Sequence, residues 1–161
     1  MTVDEAGCPT RLGYICITKF LRTIYTMFSI SREFTFCYGH RLINYDGKCA
    51  HLHGHNGKVL ITLESEKLDE QGMVMDFTHL KNTIGKWIEE KIDHKMVLKR
   101  DDPMVEVLAQ NGEPMYLMET DPTAENFCQL FYDLVKEFGL PIKSVQFWET
   151  EKCSACYTRI G

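Results

Sequence analysis

From Met27 the segment Met-Phe-Ser-Ile-Ser-Arg-Glu-Phe-Thr-Phe alternates apolar and polar side chains for part of its length and is rich in aromatics, the period-two signature of a strand. Asn44 to Lys48 carries Asp-Gly turn chemistry and reads as a loop. A second strand runs over Gly57 to Glu64, continuous with the segment just before it. Asp69 to Gly72 turns the chain, and Met73 to Asp76 is short and apolar. Phe77 to Ile92 then changes period: Phe77, Leu80, Ile84, Trp87, Ile88 and Ile92 fall on one helical stripe, with Asp76 placed as its cap. Lys99 to Thr120 reads as a long, polar, turn-rich loop. A second amphipathic helix spans Ala124 to Phe138, capped by Thr123 or Asp121 and ended by Gly139 and Pro141. Strands follow over Ile142 to Glu149 and Cys153 to Ile160. The order strand, strand, helix, helix, strand, strand predicts an α+β fold, a four-stranded antiparallel sheet with two helices packed on one face. Such a sheet leaves edges open, and assembly into an oligomer is the expected remedy.

Composition narrows the class. At 161 residues, 44% hydrophobic and 25% charged, the chain is one ordinary globular domain with room for a core. A formal net charge of -5 argues against a nucleic-acid surface. Lys19 and Arg22 break the apolar stretch from Leu12 to Phe28, so no membrane span is expected there. Residues 1–26 fit poorly with the rest and lack the basic start of a secretory signal. They read as an extension, either an added amphipathic helix or a disordered tail, with Met27 as an alternative start; residues 27–161 form the domain. Seven cysteines without a disulfide-type spacing suit a reducing, cytoplasmic setting. Cys153 and Cys156 form a CxxC, but three residues apart on a strand they face opposite sides and read as ordinary small side chains.

The candidate chemistry is concentrated in Cys49-Ala-His-Leu-His-Gly-His55, with His40 upstream: four of six histidines lie in 16 residues. On a strand His51, His53 and His55 share a face, yet neighbours two apart are roughly 6.5–7 Å apart and the outer pair roughly 13 Å. Two of them can pinch one zinc ion, and the third imidazole must come from elsewhere. Gly54, which lets the backbone come close to an ion, favours His53 and His55, with His40 completing the set and His51 as the runner-up ligand.

Three further features carry chemistry. Cys49 sits on the loop entering the histidine segment, where a nearby cation favours thiolate. It could act as ligand, nucleophile or base, and the three histidines favour the base. Asp93-His94 directly follows the first helix; a carboxylate beside an imidazole orients it. Glu149 ends an apolar strand, where a carboxylate needs a partner, and a flat heterocycle with two parallel N–H donors would suit it.

Six blocks occur in order: Phe-Thr-Phe-Cys-Tyr-Gly-His-Arg-Leu (34–42), Cys-Ala-His-Leu-His-Gly-His (49–55), Gly-Met-Val-Met-Asp-Phe (72–77), Ile-Asp-His-Lys (92–95), Pro-Thr-Ala-Glu-Asn (122–126) and Trp-Glu-Thr (148–150). Together they make residues 27 onward resemble the 6-pyruvoyltetrahydropterin synthase / 6-carboxy-5,6,7,8-tetrahydropterin synthase family. Three residues, Ala50 to Leu52, separate the cysteine from the His-Gly-His, which resembles the queuosine-pathway branch rather than the animal-type pyruvoyl enzymes, where five do. The resemblance implies a tunnelling fold (T-fold) assembled as a hexamer, a dimer of trimers with sites between subunits. It implies Zn2+ on His40, His53 and His55, and catalytic roles for Cys49, Asp93 and His94. It implies pterin binding by Glu149, with Thr123 in the pocket. The implied reaction converts 7,8-dihydroneopterin triphosphate to 6-carboxy-5,6,7,8-tetrahydropterin, releasing acetaldehyde and triphosphate. The alternatives are a 6-pyruvoyl synthase, which eliminates triphosphate alone, and a non-catalytic pterin-binding member. Cys37 and Tyr38 depart from the pattern, standing where small residues are common.

Overall fold

A computed structural model describes residues 26–159, so the reading of residues 1–26 as an extension lies outside the described part apart from its last residue. Strand β1 (Phe28–His40) pairs antiparallel with β2 (His53–Ser65), β2 with β5 (Ile142–Thr150), and β5 with β6 (Cys153–Thr158). This is the expected antiparallel unit, and β2 does run on from the histidine segment. The sheet nevertheless has six strands, in the order β4-β3-β1-β2-β5-β6. Short parallel strands β3 (Lys95–Lys99) and β4 (Met115–Met118) extend it beyond β1. The stretch expected as a long loop thus holds β4 and a short helix, α3 (Met104–Gln110). The four-stranded, purely antiparallel expectation is corrected on this point, while the α+β layout stands.

The first predicted helix is one continuous helical rod in three parts: α1 (Phe77–Leu80), a π-helical stretch Lys81–Gly85, and α2 (Lys86–Lys91). Asp76 caps it, accepting the Thr78 N–H at 2.7 Å. Its buried stripe, Leu80, Ile84, Ile88 and Ile92, repeats every four residues. At 3.6 residues per turn each such step drifts by about 40°. The wider π turn takes up that drift and keeps the stripe on the sheet. Helix α4 (Ala124–Glu137) is capped by Thr123, whose Oγ1 accepts the Asn126 N–H, and ends where Gly139 adopts φ 72°.

One face of the sheet carries the core. In register, Phe34 faces Val59 and Phe36 faces Gly57 across β1–β2, and Val59 and Ile61 face Phe147 and Val145 across β2–β5. Phe127 and Phe131 of α4 pack onto this face, Phe127 stacked on Phe147 at 4.7 Å. Gly57 leaves room for neighbouring rings: a Cβ there would stand 2.9 Å from Tyr38 Cε1. The C-terminal end of β1 is anchored by Arg41, whose guanidinium grips the buried carboxylate of Asp102 through both oxygens, with Nε to Oδ2 at 2.8 Å. Among the described residues no helix is long and apolar enough to cross a membrane.

Candidate metal centre and pterin site

The alternation that buries Val59, Ile61 and Leu63 continues toward the start of β2 and places His53 and His55 on the same face. Opposite them, Tyr38 pairs with His55 and His40 with His53. The last two rungs of the core face therefore carry three imidazoles. Their ring centroids lie 4.5 to 5.0 Å apart, and one nitrogen from each falls within 4.8 Å of the others. His40 is buried, and the other two are half-buried. His51 precedes the strand and is exposed, so the pair nearer Gly54 forms the group.

Hydrogen bonding shows what this group can hold. His40 Nδ1 lies 2.8 Å from the Pro122 carbonyl, and His53 Nδ1 lies 2.7 Å from the His51 carbonyl. A carbonyl only accepts, so each Nδ1 carries the ring proton and donates it. Both Nε2 atoms are then lone-pair acceptors, and they face each other at 3.0 Å. That contact is repulsive unless a proton or a cation lies between them. Burial, with the neighbouring His53 and His55 adding to it against the Pro122 hydrogen bond, pushes His40 down to about 4; burial and His53 also lower His55. Near neutral pH a proton is thus disfavoured, and a cation is what the donor set fits. Tetrahedral zinc, with Zn–N of about 2.0–2.1 Å, separates its ligands by about 3.3 Å, close to the spacing found. The two carbonyls also fix ring orientation, as partners behind metal-binding histidines do.

Glu149 borders this group. The register of β5 against β6 shifts between Trp148 and Thr150, so Glu149 sits at a bulge, a device that re-aims a side chain. Its Oε1 is 4.0 Å from His40 Nε2. With His40 neutral, that is proximity rather than an ion pair. Burial and Glu125 raise the Glu149 carboxyl above its ordinary value, with His53 opposing. Glu149, His55, Lys58 and Trp148 line one cavity, where Lys58 Nζ lies 4.5 Å over the Trp148 ring.

Asp93 and His94 form a separate group. His94 adopts φ 58°, its Nδ1 lies 2.9 Å from Asp93 Oδ2, and Asp93 Oδ1 accepts the Cys37 N–H at 2.9 Å. Burial would raise the Asp93 carboxyl, but the hydrogen bonds from Cys37 and His94 outweigh it and hold it low. Within one chain the thiol brought to this pair is that of Cys37 rather than Cys49. Cys49 sits half-buried on the 3-10 turn Lys48–Ala50, outside both groups, with its carbonyl accepting the Leu42 N–H. Thr123 caps α4 and directly follows Pro122, whose carbonyl meets His40 Nδ1. Four partners escaped the sequence reading: Cys37, Asn56 and the Pro122 and His51 carbonyls. Strand register could have flagged Asn56, which pairs with Cys37. The carbonyls carry no residue-type signal.

Comparison with known proteins identifies the family. A family model described as 6-pyruvoyl tetrahydropterin synthase matches residues 29–159. A 6-carboxy-5,6,7,8-tetrahydropterin synthase of Rickettsia typhi is 35% identical over 134 residues, covering 79% of this chain and 97% of the relative. One of the same name from Aquifex aeolicus is 36% identical over 156 residues, covering 80% and 96%. Among solved structures, an uncharacterized protein from Wolinella succinogenes superposes with a TM-score of 0.70 at 28% identity, covering 84% of this chain and 99% of that one. The 6-pyruvoyl tetrahydropterin synthase of Caenorhabditis elegans, at 23% identity and a TM-score of 0.63, covers 84% and 98% and shares the fold. With its histidine trio at the end of the core face and a family match over nearly all the described residues, the chain belongs to the 6-pyruvoyl tetrahydropterin synthase family.

Proposed function

We propose that the chain is a zinc-dependent 6-carboxy-5,6,7,8-tetrahydropterin synthase of queuosine biosynthesis. It would convert 7,8-dihydroneopterin triphosphate to the carboxy product with release of acetaldehyde and triphosphate. The observation that carries this reading is the pair of Nε2 atoms on His40 and His53 facing each other at 3.0 Å, with His55 completing the donor set. Curated relatives at 35% and 36% identity bear that name, and Ala50 to Leu52 give the matching spacing.

Zinc, when bound, would polarise the oxygens of the substrate side chain and stabilise charge that develops on deprotonation. Three neutral imidazoles leave it its full positive charge. Glu149 accepts the 2-amino and ring N–H groups of the pterin, a bidentate contact that fixes the ring. His94, oriented by Asp93, and the Cys49 thiol move protons on and off carbon. Since Cys49 stands apart from Asp93-His94 within one chain, the reading sets them together in a homo-oligomer, a hexamer built from two trimers, with Thr123 in the pocket wall. Cys37, Cys49, Cys128, Cys153 and Cys156 are free, which suits a reducing cytoplasm.

The test combines metal analysis with product identification on one purified sample. The expected result is bound zinc, the 6-carboxy product by mass spectrometry, and acetaldehyde. A pyruvoyl product without acetaldehyde would move the chain to the other reaction. Pterin binding without turnover under any metal would make it a non-catalytic member.

A further inference from the structure

Cys37 lies on the opposite face of β1 from Tyr38 and His40, and its thiol is exposed. It has company there. Sγ is 3.2 Å from Asn56 Oδ1, across the β1–β2 pair. One ligand atom each from Cys37, Asp93 and His94 lies within 4.8 Å of the others. Cys37 and His94 line a cavity of about 590 Å3 together with Asn56 and Lys95, and the same cavity reaches His53 and His55, so an ion has a path in.

We propose that Cys37, Asp93 and His94 form a second divalent-cation site, distinct from the three histidines, that takes a thiophilic ion such as Zn2+. Sulfur, imidazole and carboxylate are the donor types zinc selects. Their charges suit it as well: thiolate and carboxylate together neutralise a dication, whereas the histidine trio offers none. The group is also held in place from behind. The Cys37 N–H fixes Asp93 Oδ1, and the Cys37 carbonyl accepts the His94 N–H at 2.7 Å, holding His94 at its left-handed φ of 58°. These bonds tie all three residues to one strand position. Asn56 Oδ1 stands beside the thiol as a fourth donor.

A consequence rests on the function proposed above. His94 is the imidazole that reading uses for proton transfer, so an ion on this site withholds it, and excess zinc inhibits turnover.

Cobalt tests the site without any need for turnover. The metal-free full-length chain, in its native assembly, is titrated with Co2+. Two equivalents are expected to bind, one of them with a near-ultraviolet thiolate-to-cobalt charge-transfer band. Cys37→Ser loses that band and one equivalent, whereas Cys49→Ser and His53→Ala keep the band. A wild-type spectrum without the band, or a band that survives in Cys37→Ser, overturns the proposal. In the unaltered chain, zinc should protect Cys37 from iodoacetamide by about tenfold or more, read by peptide mass spectrometry; equal labelling with and without zinc overturns it too. Inhibition by excess zinc should vanish in Cys37→Ser, and its persistence there overturns the inhibitory role. A chain that shows the cobalt band and zinc protection but turns over no pterin counts against the proposed function alone.

Discussion

Acid should destabilise the metal-free protein through His40. Its imidazole is 2% exposed, and burial, with help from the other two imidazoles, lowers its pKa from 6.5 to about 4. The sign follows from linkage. Between those values the unfolded chain binds a proton that the folded chain resists, so the stabilisation is present above about 6.5 and is lost as pH falls toward 4. Every tenfold loss of proton affinity on folding corresponds to about 1.4 kcal/mol, so His40 alone should remove about 2–3 kcal/mol by pH 4.5. Urea unfolding with a chelator present, at pH 7 and pH 4.5, measures the total fall. The same pair of measurements on His40→Gln, which cannot titrate, isolates the part due to His40. Added zinc should raise stability at pH 7, by about 4 kcal/mol at a thousandfold excess over its dissociation constant. A wild-type fall no larger than that of His40→Gln would refute the reasoning, because the buried imidazole would then have no special aversion to its proton.

Other expectations concern the anchors around the site. Asp102→Ala leaves Arg41 without its buried partner; because the Arg41 side chain is 21% exposed and can turn to water, the cost should fall below that of a fully buried pair, about 2–3 kcal/mol by urea unfolding. Gly57→Ala sets a Cβ 2.9 Å from Tyr38 Cε1 and 3.2 Å from Phe147 Cζ, both in packed rings, and should lower stability by about 1–3 kcal/mol with a matching drop in Tm. Glu149→Gln should raise KM for the pterin substrate by about tenfold or more while leaving zinc content unchanged, since it removes a charged acceptor but no ligand. Cys49→Ala should cut kcat by about a hundredfold or more with normal metal content if its thiol moves a proton.

What could be read from the chain and what could not divide along physical lines. Strands β1, β2 and β5 announce themselves because one face is buried and the other wet, which writes alternation into the sequence. Helix α4 is marked by its caps. Strands β3 and β4 are five and four residues long and parallel, too short to show a period. Strand β4 lies within the Lys99 to Thr120 stretch, whose polar content reads as a loop, and β3 ends where that stretch begins. Helix α3 had a signal that could have been used: Asp102-Pro103 opens it, with Asp102 Oδ1 accepting the Met104 N–H. At the site, the choice of His53 and His55 over His51 followed from spacing and Gly54, and the geometry brings those two together with His40. The grouping of Cys37 with Asp93 and His94 was beyond reach. It depends on β3 lying beside the end of β1, a parallel pairing between distant parts of the chain.

The three imidazoles stand on the final rungs of the ladder whose earlier rungs are the hydrophobic interior, with no hinge between. The receptacle is therefore finished when the sheet is finished, before any ion arrives. A chelator should empty it and leave the architecture standing, unlike a zinc finger, which falls apart when stripped. By the same logic a variant lacking one of these rings would express, purify and scatter light like its parent. Its defect would show in metal content and turnover, not in its fold.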